Sequence, residues 1–395
     1  MVDDDRLCRS LLQDALCGWG HEVLCAEDGA QAWERLEADR AISLVITDWV
    51  MPRLDGLELC RRIRAAEFSP YLPVLLSTSR NEEEEVAQGL AAGADAFLTK
   101  PLHLPTLRAQ LRVAERILQL EERLESRLRC LAEAHERIRR DLEAAAAVQR
   151  AHLPERPPSL GKLEFAWAYE ACETLGGDMF NVFRLDESHV GIYVLDVSGH
   201  GTAAALLSVS LSRALVPHPQ QGGILKQPRP APPYYEILAP AEVAAELNRR
   251  FPLIDEAGRF CTLLYGILDV ASHRFRYVSA GHPDPIVVLG EHRLAQRGAG
   301  GPPIGVLQDA GWEEIELQLA PGSRLLLYTD GASEAANERG ERFGEERLLA
   351  AIAGARDGEA PGIAGTIARL RAQLAAFGGG RPPHDDVTLL GLEIA

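Results

Sequence analysis

The stretch that decides the fold lies at residues 175–201, LGGDMFNVFRLDESHVGIYVLDVSGHG. Within it, residues 191–195 are a short apolar run rich in β-branched and aromatic side chains, which predicts a buried strand. We expect this strand to end at Asp196, because glycines follow at positions 199 and 201 and let the backbone turn tightly. The small, apolar run at 202–216 then predicts a packed helix. The pattern therefore presents a carboxylate at the open end of a strand.

Two similar strand ends follow later in the chain. The sequence RLLLYTDG at 324–331 places Asp330 after an apolar run, and HDDVTLL at 384–390 places Asp385 and Asp386 before one. Clustered carboxylates repel one another and lose hydration unless a hard cation lies among them, and Mg²⁺ or Mn²⁺ prefers such oxygen ligands. The three strand ends therefore predict a site for two metal ions.

The motifs around these strand ends resemble the SpoIIE-type branch of the metal-dependent (PPM) serine/threonine protein phosphatases. The resemblance covers roughly residues 145–395. Its seven motifs, in chain order, are Gln149 to Pro154, Gly176-Gly177-Asp178, Asp196-Val-Ser-Gly-His-Gly, Ser279-Ala-Gly-His-Pro, Gly301-Pro-Pro-Ile-Gly, Tyr328-Thr-Asp-Gly and Asp385-Asp-Val-Thr. The resemblance implies an α/β phosphatase domain, with a two-sheet β-sandwich flanked by helices.

The resemblance also implies which residues form the site. The catalytic metal ligands would be Asp178, Asp196, Asp330 and Asp385, together with the carbonyl of Val197. Asn181 stands where many relatives carry a second aspartate, and the four main carboxylates are intact without it. The implied reaction is hydrolysis of phosphoserine or phosphothreonine by water activated between two Mn²⁺ or Mg²⁺ ions. The implied substrate is a phosphorylated anti-sigma-factor antagonist.

Length and charge limit the other possibilities. A chain of 395 residues predicts two or three domains, and a formal net charge of −17 argues against a nucleic-acid partner. Seven cysteines are scattered singly, which is typical of reduced thiols. No apolar run approaches the ~20 residues that a membrane-spanning helix needs. We therefore expect a cytoplasmic protein without a membrane partner.

Residues 1–103 alternate helical and strand patterns, which predicts a parallel α/β sheet. The predicted strands at 42–47, 72–77 and 94–99 are followed by Asp48, Thr78 and Lys100. Ligands bind at the carboxyl ends of strands in such sheets, so these side chains are expected to converge.

This arrangement resembles a flavodoxin-like response-regulator receiver domain. The resemblance makes Asp48 the phosphoacceptor for a sensor histidine kinase or phosphotransfer protein, and makes Asp3 and Asp4 join it around Mg²⁺. It assigns the phosphoryl contacts to Thr78 and Lys100 and the aromatic switch to Phe97. The alternative is an unrelated flavodoxin-like fold with acidic loops.

The first receiver strand normally precedes the acid pair, and here only Met1 and Val2 do so. We expect the first strand to be truncated, which would leave strand edges open on both sides of a gap. Either the native start lies upstream or the receiver is damaged. Equal stability of a chain extended by about ten residues, roughly a strand and its lead-in, would contradict this expectation.

Residues 106–149 lack glycine and proline, and their apolar residues recur at spacings of three and four. This pattern predicts a helix that forms a homodimeric coiled coil, with a stutter at positions 120, 124 and 128. The alternative is an amphipathic helix packed on its own phosphatase domain. We therefore divide the chain into a receiver domain (1–103), a linker (104–150) and a phosphatase domain (151–395), with a long loop predicted at 217–240.

Three rival interpretations concern the chemistry. Gly-Gly-Asp-Met-Phe at 176–180 is similar to the Gly-Gly-Asp-Glu-Phe motif of diguanylate cyclases, but Met179 replaces its key glutamate. His200 and His282 are candidates for proton donation to the leaving oxygen, although a structural role is favoured for both. The phosphatase fold would alternatively be an inactive adaptor that binds a sigma-factor or protease pathway protein under receiver control.

Overall fold

The computed structural model describes residues 1–66, 68, 71–79, 83–158, 160–252, 258–289, 292–295, 300–353 and 362–395. The chain divides into two compact units, Met1–Glu136 and Arg137–Ala395. The division falls within one long helix. No helix among the described residues combines the length and the apolar character that crossing a membrane requires.

The first unit is an α/β unit whose three strands pair in parallel in the order β1-β2-β3. Its elements are α1 (Arg6–Gly18), α2 (Gly29–Ala38), β1 (Val45–Asp48), α3 (Gly56–Ala65), β2 (Val74–Thr78), α4 (Glu83–Ala91), β3 (Ala96–Thr99) and the start of α5 (Leu104–Arg150). The strands β1 and β2 are entirely buried, as expected for parallel strands covered by helices on both faces. The predicted parallel α/β architecture is confirmed.

Val2 extends the sheet by a single residue beside β1. Its backbone N–H donates to Ile46 O and its carbonyl accepts from Asp48 N, both at 2.8 Å, and it also bridges to Ala26. Next to it lies a cavity of about 360 Å³, lined in part by residues 21–24 and 41–46.

The helix α5 is continuous from Leu104 to Arg150, close to the predicted 106–149. Leu107 and Leu111 pack in the core of the first unit, and Ala146 packs in the second. Between these ends, five apolar side chains of the helix are each more than half exposed: Leu120, Leu124, Leu128, Leu131 and Ile138.

The second unit contains two five-stranded sheets, in the orders β13-β10-β9-β6-β5 and β12-β11-β14-β15-β4, and a small β7-β8 pair. The strands are β4 (Leu163–Glu170), β5 (Met179–Arg184), β6 (His189–Val197), β7 (Lys226–Pro228), β8 (Tyr235–Ile237), β9 (Cys261–Asp269), β10 (Arg274–Ala280), β11 (Ile286–Leu289), β12 (His292–Ala295), β13 (Ile315–Gln318), β14 (Arg324–Tyr328) and β15 (Val387–Ile394). The helices are α6 (Thr202–Ala214), α7 (Pro240–Arg250), α8 (Asp330–Glu334), α9 (Gly344–Ala353) and α10 (Gly362–Phe377).

The side chains of β6 show how the two sheets pack. Val190, Ile192 and Val194 lie in the core between the sheets, whereas Tyr193 and Leu195 lie under α6 and α7. Successive strand residues point to opposite faces, so a strand buried on both faces is apolar throughout. The second sheet is covered in the same way by α9 and α10. The predicted two-sheet sandwich flanked by helices is confirmed.

The predicted loop at 217–240 is more structured than expected. It contains a short 3-10 helix at Pro219–Gln221 and the β7-β8 hairpin, and Ile224, Leu225 and Leu238 are buried in the core under the first sheet. The prediction of a long loop was wrong because isolated apolar residues among proline and glycine give no periodic signal. Their burial depends on packing with the flanking helices α6 and α7, which the segment's own sequence pattern does not record.

Candidate active site

The acidic residues gather at one end of the sandwich, and two of them continue the face of their strand that packs against the other sheet. In β5 and β6, the inter-sheet core takes the even-numbered residues Phe180 and Val194, and Asp178 and Asp196 continue the same alternation beyond the packed core. The period of two therefore carries both carboxylates to the same end of the sandwich.

Asp178 is buried and is held from the opposite sheet. Its Oδ2 accepts hydrogen bonds from Thr329 Oγ1 at 2.8 Å and from Thr388 Oγ1 at 2.6 Å. Thr329 follows β14 and Thr388 lies in β15, so one carboxylate joins three segments that are distant in sequence. These two threonines were not predicted as site residues, although each stands within three positions of a predicted acid.

Asp386 also belongs to the site, although we assigned the metal-binding role only to its neighbour Asp385. Its carboxylate is buried and accepts from the backbone N–H groups of Cys172 at 2.8 Å, Asp178 at 3.3 Å and Gly177. Asp386 therefore orders the loop that carries Asp178. The Asp-Asp pair in the sequence was a signal for this residue, but the sequence did not distinguish a ligand from a residue that holds the loop.

The paired glycines of the Gly-Gly-Asp motif are required by close approach. A Cβ on Gly177 would lie 2.6 Å from the Val197 carbonyl oxygen, and a Cβ on Gly176 would collide with the Asp386 carboxylate and the Tyr169 hydroxyl. A side chain at either position would push the Asp178 loop away from the end of β6. The motif thus brings the Val197 carbonyl close to the acids.

The four predicted acids share one electrostatic environment. Burial, followed by the nearby charges of Asp330, Asp385 and Asp386, raises the pKa of Asp196 to about 7. Burial also raises the pKa of Asp178, Asp330 and Asp385, and in each a neighbouring aspartate adds to the shift. Like charges crowded in this way favour the binding of a cation among them.

The donor set fits a hard divalent cation. Carboxylate oxygens and the Val197 carbonyl are the ligands that Mg²⁺ and Mn²⁺ prefer. Asp178 is buried, Asp196 and Asp330 are half-buried and Asp385 is exposed, so the cluster opens to the surface at one side. No three of these four acids bring carboxylate oxygens within 4.8 Å of one another.

The side chain of Asn181 forms its hydrogen bonds with residues of β5 and β6. Its Oδ1 accepts from the N–H of Val182 at 2.8 Å, and its side chain also bonds Tyr193 of the neighbouring strand. The position where relatives carry an aspartate is thus occupied by an amide that serves β5 and β6.

The two histidines differ in their surroundings. His282 is buried, its Nδ1 lies 2.7 Å from Thr262 Oγ1, and burial lowers its pKa to about 3. A neutral imidazole of this kind is a poor proton donor, which favours the structural role. His200 is exposed, and its Nδ1 lies 2.9 Å from Glu173 Oε1. Ser198 shapes the turn after β6, because its Oγ accepts from Phe260 N at 3.0 Å.

In the first unit, the predicted receiver residues converge at the carboxyl ends of the strands. Lys100 Nζ lies 2.6 Å from Asp48 Oδ2 and 2.9 Å from Asp3 Oδ2. Burial alone would lower the pKa of Lys100, but its hydrogen bonds to the two carboxylates raise it. Burial raises the pKa of Asp48, and Lys100 opposes that shift. The lysine thus remains charged beside the phosphoacceptor candidate.

The acids Asp3, Asp4 and Asp48 bring carboxylate oxygens within 4.8 Å of one another, and no other such group occurs among the described residues. This geometry suits one hard cation. Thr78 is buried at the end of β2. Phe97 is half-buried in β3, and its ring centroid lies 6.4 Å from that of Trp49, the residue after Asp48.

Two known families match separate parts of the chain. The family described as stage II sporulation protein E (SpoIIE) matches residues 186–395, and the response regulator receiver domain matches residues 1–112. In the solved structures, the SiaA-PP2C domain of Pseudomonas aeruginosa covers 67% of this chain and 100% of its own, with a TM-score of 0.56 and 24% identity. At that identity the likeness concerns the fold.

Two sequence relatives match different parts of the chain. Phosphoserine phosphatase RsbP of Bacillus subtilis (strain 168) is 32% identical over 200 residues, which is 50% of this chain and 46% of RsbP. Response regulator MprA of Mycobacterium ulcerans (strain Agy99) is 43% identical over 122 residues, which is 31% of this chain and 51% of MprA. The chain thus spans about half the length of each relative.

Proposed function

The chain belongs to the SpoIIE family, and from this membership we propose that it is a metal-dependent protein phosphatase under the control of its receiver domain. The substrate is a protein that carries phosphoserine or phosphothreonine. The observation that carries the proposal is the gathering of Asp178, Asp196, Asp330 and Asp385 at one end of the sandwich, where their pKa values are raised. Such crowding favours binding of divalent cations.

In this proposal Asp178, Asp196, Asp330, Asp385 and the Val197 carbonyl hold two Mn²⁺ or Mg²⁺ ions. The bound ions supply Lewis acidity, which lowers the pKa of water and offsets charge on the phosphoryl oxygens. The chain itself provides the geometry. Thr329 and Thr388 orient Asp178, and Asp386 fixes the backbone that carries it. The exposed edge at Asp385 admits a phosphorylated side chain of a protein.

The proposed partners follow from the two domains. A sensor histidine kinase or phosphotransfer protein phosphorylates Asp48, with Mg²⁺ held by Asp3, Asp4 and Asp48 and with Thr78 and Lys100 contacting the phosphoryl group. The phosphatase substrate is a phosphorylated anti-sigma-factor antagonist. The chain is organised as a receiver (1–103), a linker (104–150) and a phosphatase domain (151–395). The exposed stripe of Leu120, Leu124, Leu128, Leu131 and Ile138 supports pairing of two chains through the linker.

The proposal is tested by hydrolysis of p-nitrophenyl phosphate and of phosphoserine proteins with Mn²⁺. We expect metal-dependent turnover by the wild type and a loss of about a hundredfold or more in Asp196→Asn, because even residues outside the ligand set commonly cost 10–100-fold. Asp309→Asn, at an exposed carboxylate, is the matched control. Tight binding of a phosphorylated antagonist without turnover by the wild type would instead identify an inactive adaptor.

A further inference from the structure

The last turn of the linker helix α5 contacts the Gly-Gly-Asp loop directly through Gln149. The side chain is buried, with 5% of its surface exposed. Its Nε2 donates to Gly176 O at 2.7 Å, and its Oε1 accepts from Gly176 N at 3.3 Å. The amide therefore bonds both backbone polar groups of one residue, two positions before Asp178.

The loop is held from two sides. Asp386 accepts from the N–H groups of Gly177 and Asp178, while Gln149 holds Gly176 from the helix. Gly176 has no room to move toward Asp386, because even an added Cβ would collide with that carboxylate. The position of the Asp178 backbone thus depends on two side chains that lie far apart in sequence.

Apolar contacts fix the same helix end. Ala146, one turn before Gln149, is buried with Leu175 and Ala205, and Leu142 packs against this cluster. Gln149 Nε2 also lies 3.3 Å from Ser208 Oγ, at the centre of α6. The helix end, the loop and α6 are therefore joined, and a buried amide that lost these partners would leave polar backbone groups unsatisfied.

We propose that Gln149 is a positioning residue, which sets the backbone at Gly176 and through it the metal-binding geometry of Asp178. This inference rests on the proposed phosphatase function and deepens it, because it names the contact by which the linker helix acts on the site. A displacement of the helix end would move Gly176 through the bidentate amide pair. The helix would then control the metal concentration that the site needs for activity, and not the fold.

The test compares Gln149→Leu and Gln149→Glu with the wild type and with Arg150→Leu, an exposed neighbour on the same helix turn. Leucine removes both hydrogen bonds at similar volume. Glutamate keeps the acceptor for Gly176 N but places a second acceptor against Gly176 O. We expect both variants to need about tenfold more Mn²⁺ for half-maximal hydrolysis of p-nitrophenyl phosphate. The free energy lost when a buried polar group has no hydrogen-bond partner is large enough to weaken metal affinity by that factor. Thermal melting should fall by only about 2–4 °C relative to Arg150→Leu, as expected for the loss of one such anchor in a domain of this size.

A second readout does not depend on activity. Amide hydrogen exchange of residues 172–178 should be about tenfold faster in both Gln149 variants than in Arg150→Leu, because the Gly176 anchor is lost. Unchanged exchange and an unchanged Mn²⁺ requirement in the two variants would overturn the positioning role. If the wild type shows no metal-dependent hydrolysis, the proposed function fails, while the exchange comparison still decides the role of Gln149.

Discussion

At the scale of single residues, burial separates groups that look alike in the sequence. Asp385 and Asp386 are adjacent, yet the first is exposed at the edge of the acid cluster and the second is buried against three backbone N–H groups. His200 and His282 both follow glycine, yet the first is exposed and the second is enclosed. Each pair divides into one exposed residue and one buried residue.

His282 gives a prediction about stability against pH. Its folded-state pKa of about 3 lies below the ordinary value of 6.5, so the unfolded chain binds a proton in this range and the folded chain does not. The stability contributed by neutral His282 is complete above pH 6.5 and is lost as pH falls toward 3. We expect the free energy of unfolding to fall by about 1.4 kcal/mol more per pH unit in the wild type than in His282→Gln.

The measurement is denaturant unfolding of the whole chain between pH 6.5 and about pH 4.5, comparing slopes rather than absolute stabilities. His218→Gln, at an exposed position, is the control and should keep the wild-type slope. Identical slopes in all three proteins would show that the imidazole of His282 titrates normally.

At the scale of elements, the helix α5 carries an apolar stripe that its own chain leaves open. Leu120, Leu124 and Leu128 are spaced by four residues, whereas Leu128 and Leu131 are spaced by three. A run of fours departs from the heptad and locally unwinds a coiled coil. Two registers of a paired helix can therefore lie close in energy near Leu124, which makes this helix a suitable two-state element.

We predict that this stripe pairs two copies of the chain. Leu124→Asp combined with Leu131→Asp should convert a dimer to a monomer, because a charge in a coiled-coil seam loses hydration without a partner. Light scattering would measure the change, and Arg129→Asp serves as a charge-changing control on the same helix. A wild-type chain that stays monomeric at all concentrations would contradict the pairing.

At the scale of the whole molecule, we propose that one helix joins two reactions: phosphorylation at Asp48 and hydrolysis at the acid cluster. A phosphoryl group on Asp48 would compete for Lys100, which now bonds Asp48 and Asp3. We expect that change to draw Thr78 and Lys100 toward the phosphoryl group and to let Phe97 change position, which would remodel the surface of the first unit. The helix α5, with internally satisfied backbone bonds, can transmit a rotation or a change of register.

We predict that beryllofluoride, a phosphoryl mimic, changes phosphatase activity by about fivefold or more, a typical coupling between two sites. Asp48→Asn should abolish the response, and Asp14→Asn, an exposed carboxylate of the same unit, should preserve it. Insertion of four residues after Arg129 rotates the rest of the helix by about 40° and should disrupt regulation, whereas seven residues keep the heptad register and should retain it. Regulation that survives the four-residue insertion unchanged would exclude coupling through α5.

The sequence alone determined the order of domains, the long helix and the predicted site acids. Apolar residues at every second position indicate the buried face of a strand, and apolar residues spaced by three and four indicate the buried face of a helix. Acids next to apolar strand patterns mark the ends of strands. These signals depend on neighbours along the chain, so they placed Asp48, Asp196 and Asp330 at strand ends, where the structure has them.

The tertiary structure decided the contacts between segments that are distant along the chain. It assigned Asp386 to the loop backbone, Thr329 and Thr388 to Asp178, and Gln149 to Gly176. It also buried apolar residues of the segment 217–240, which has no periodic pattern. Such partners are determined by how the two sheets and their helices pack, and hydrogen bonds between residues 27 to 210 positions apart leave no periodicity in the sequence that would reveal them.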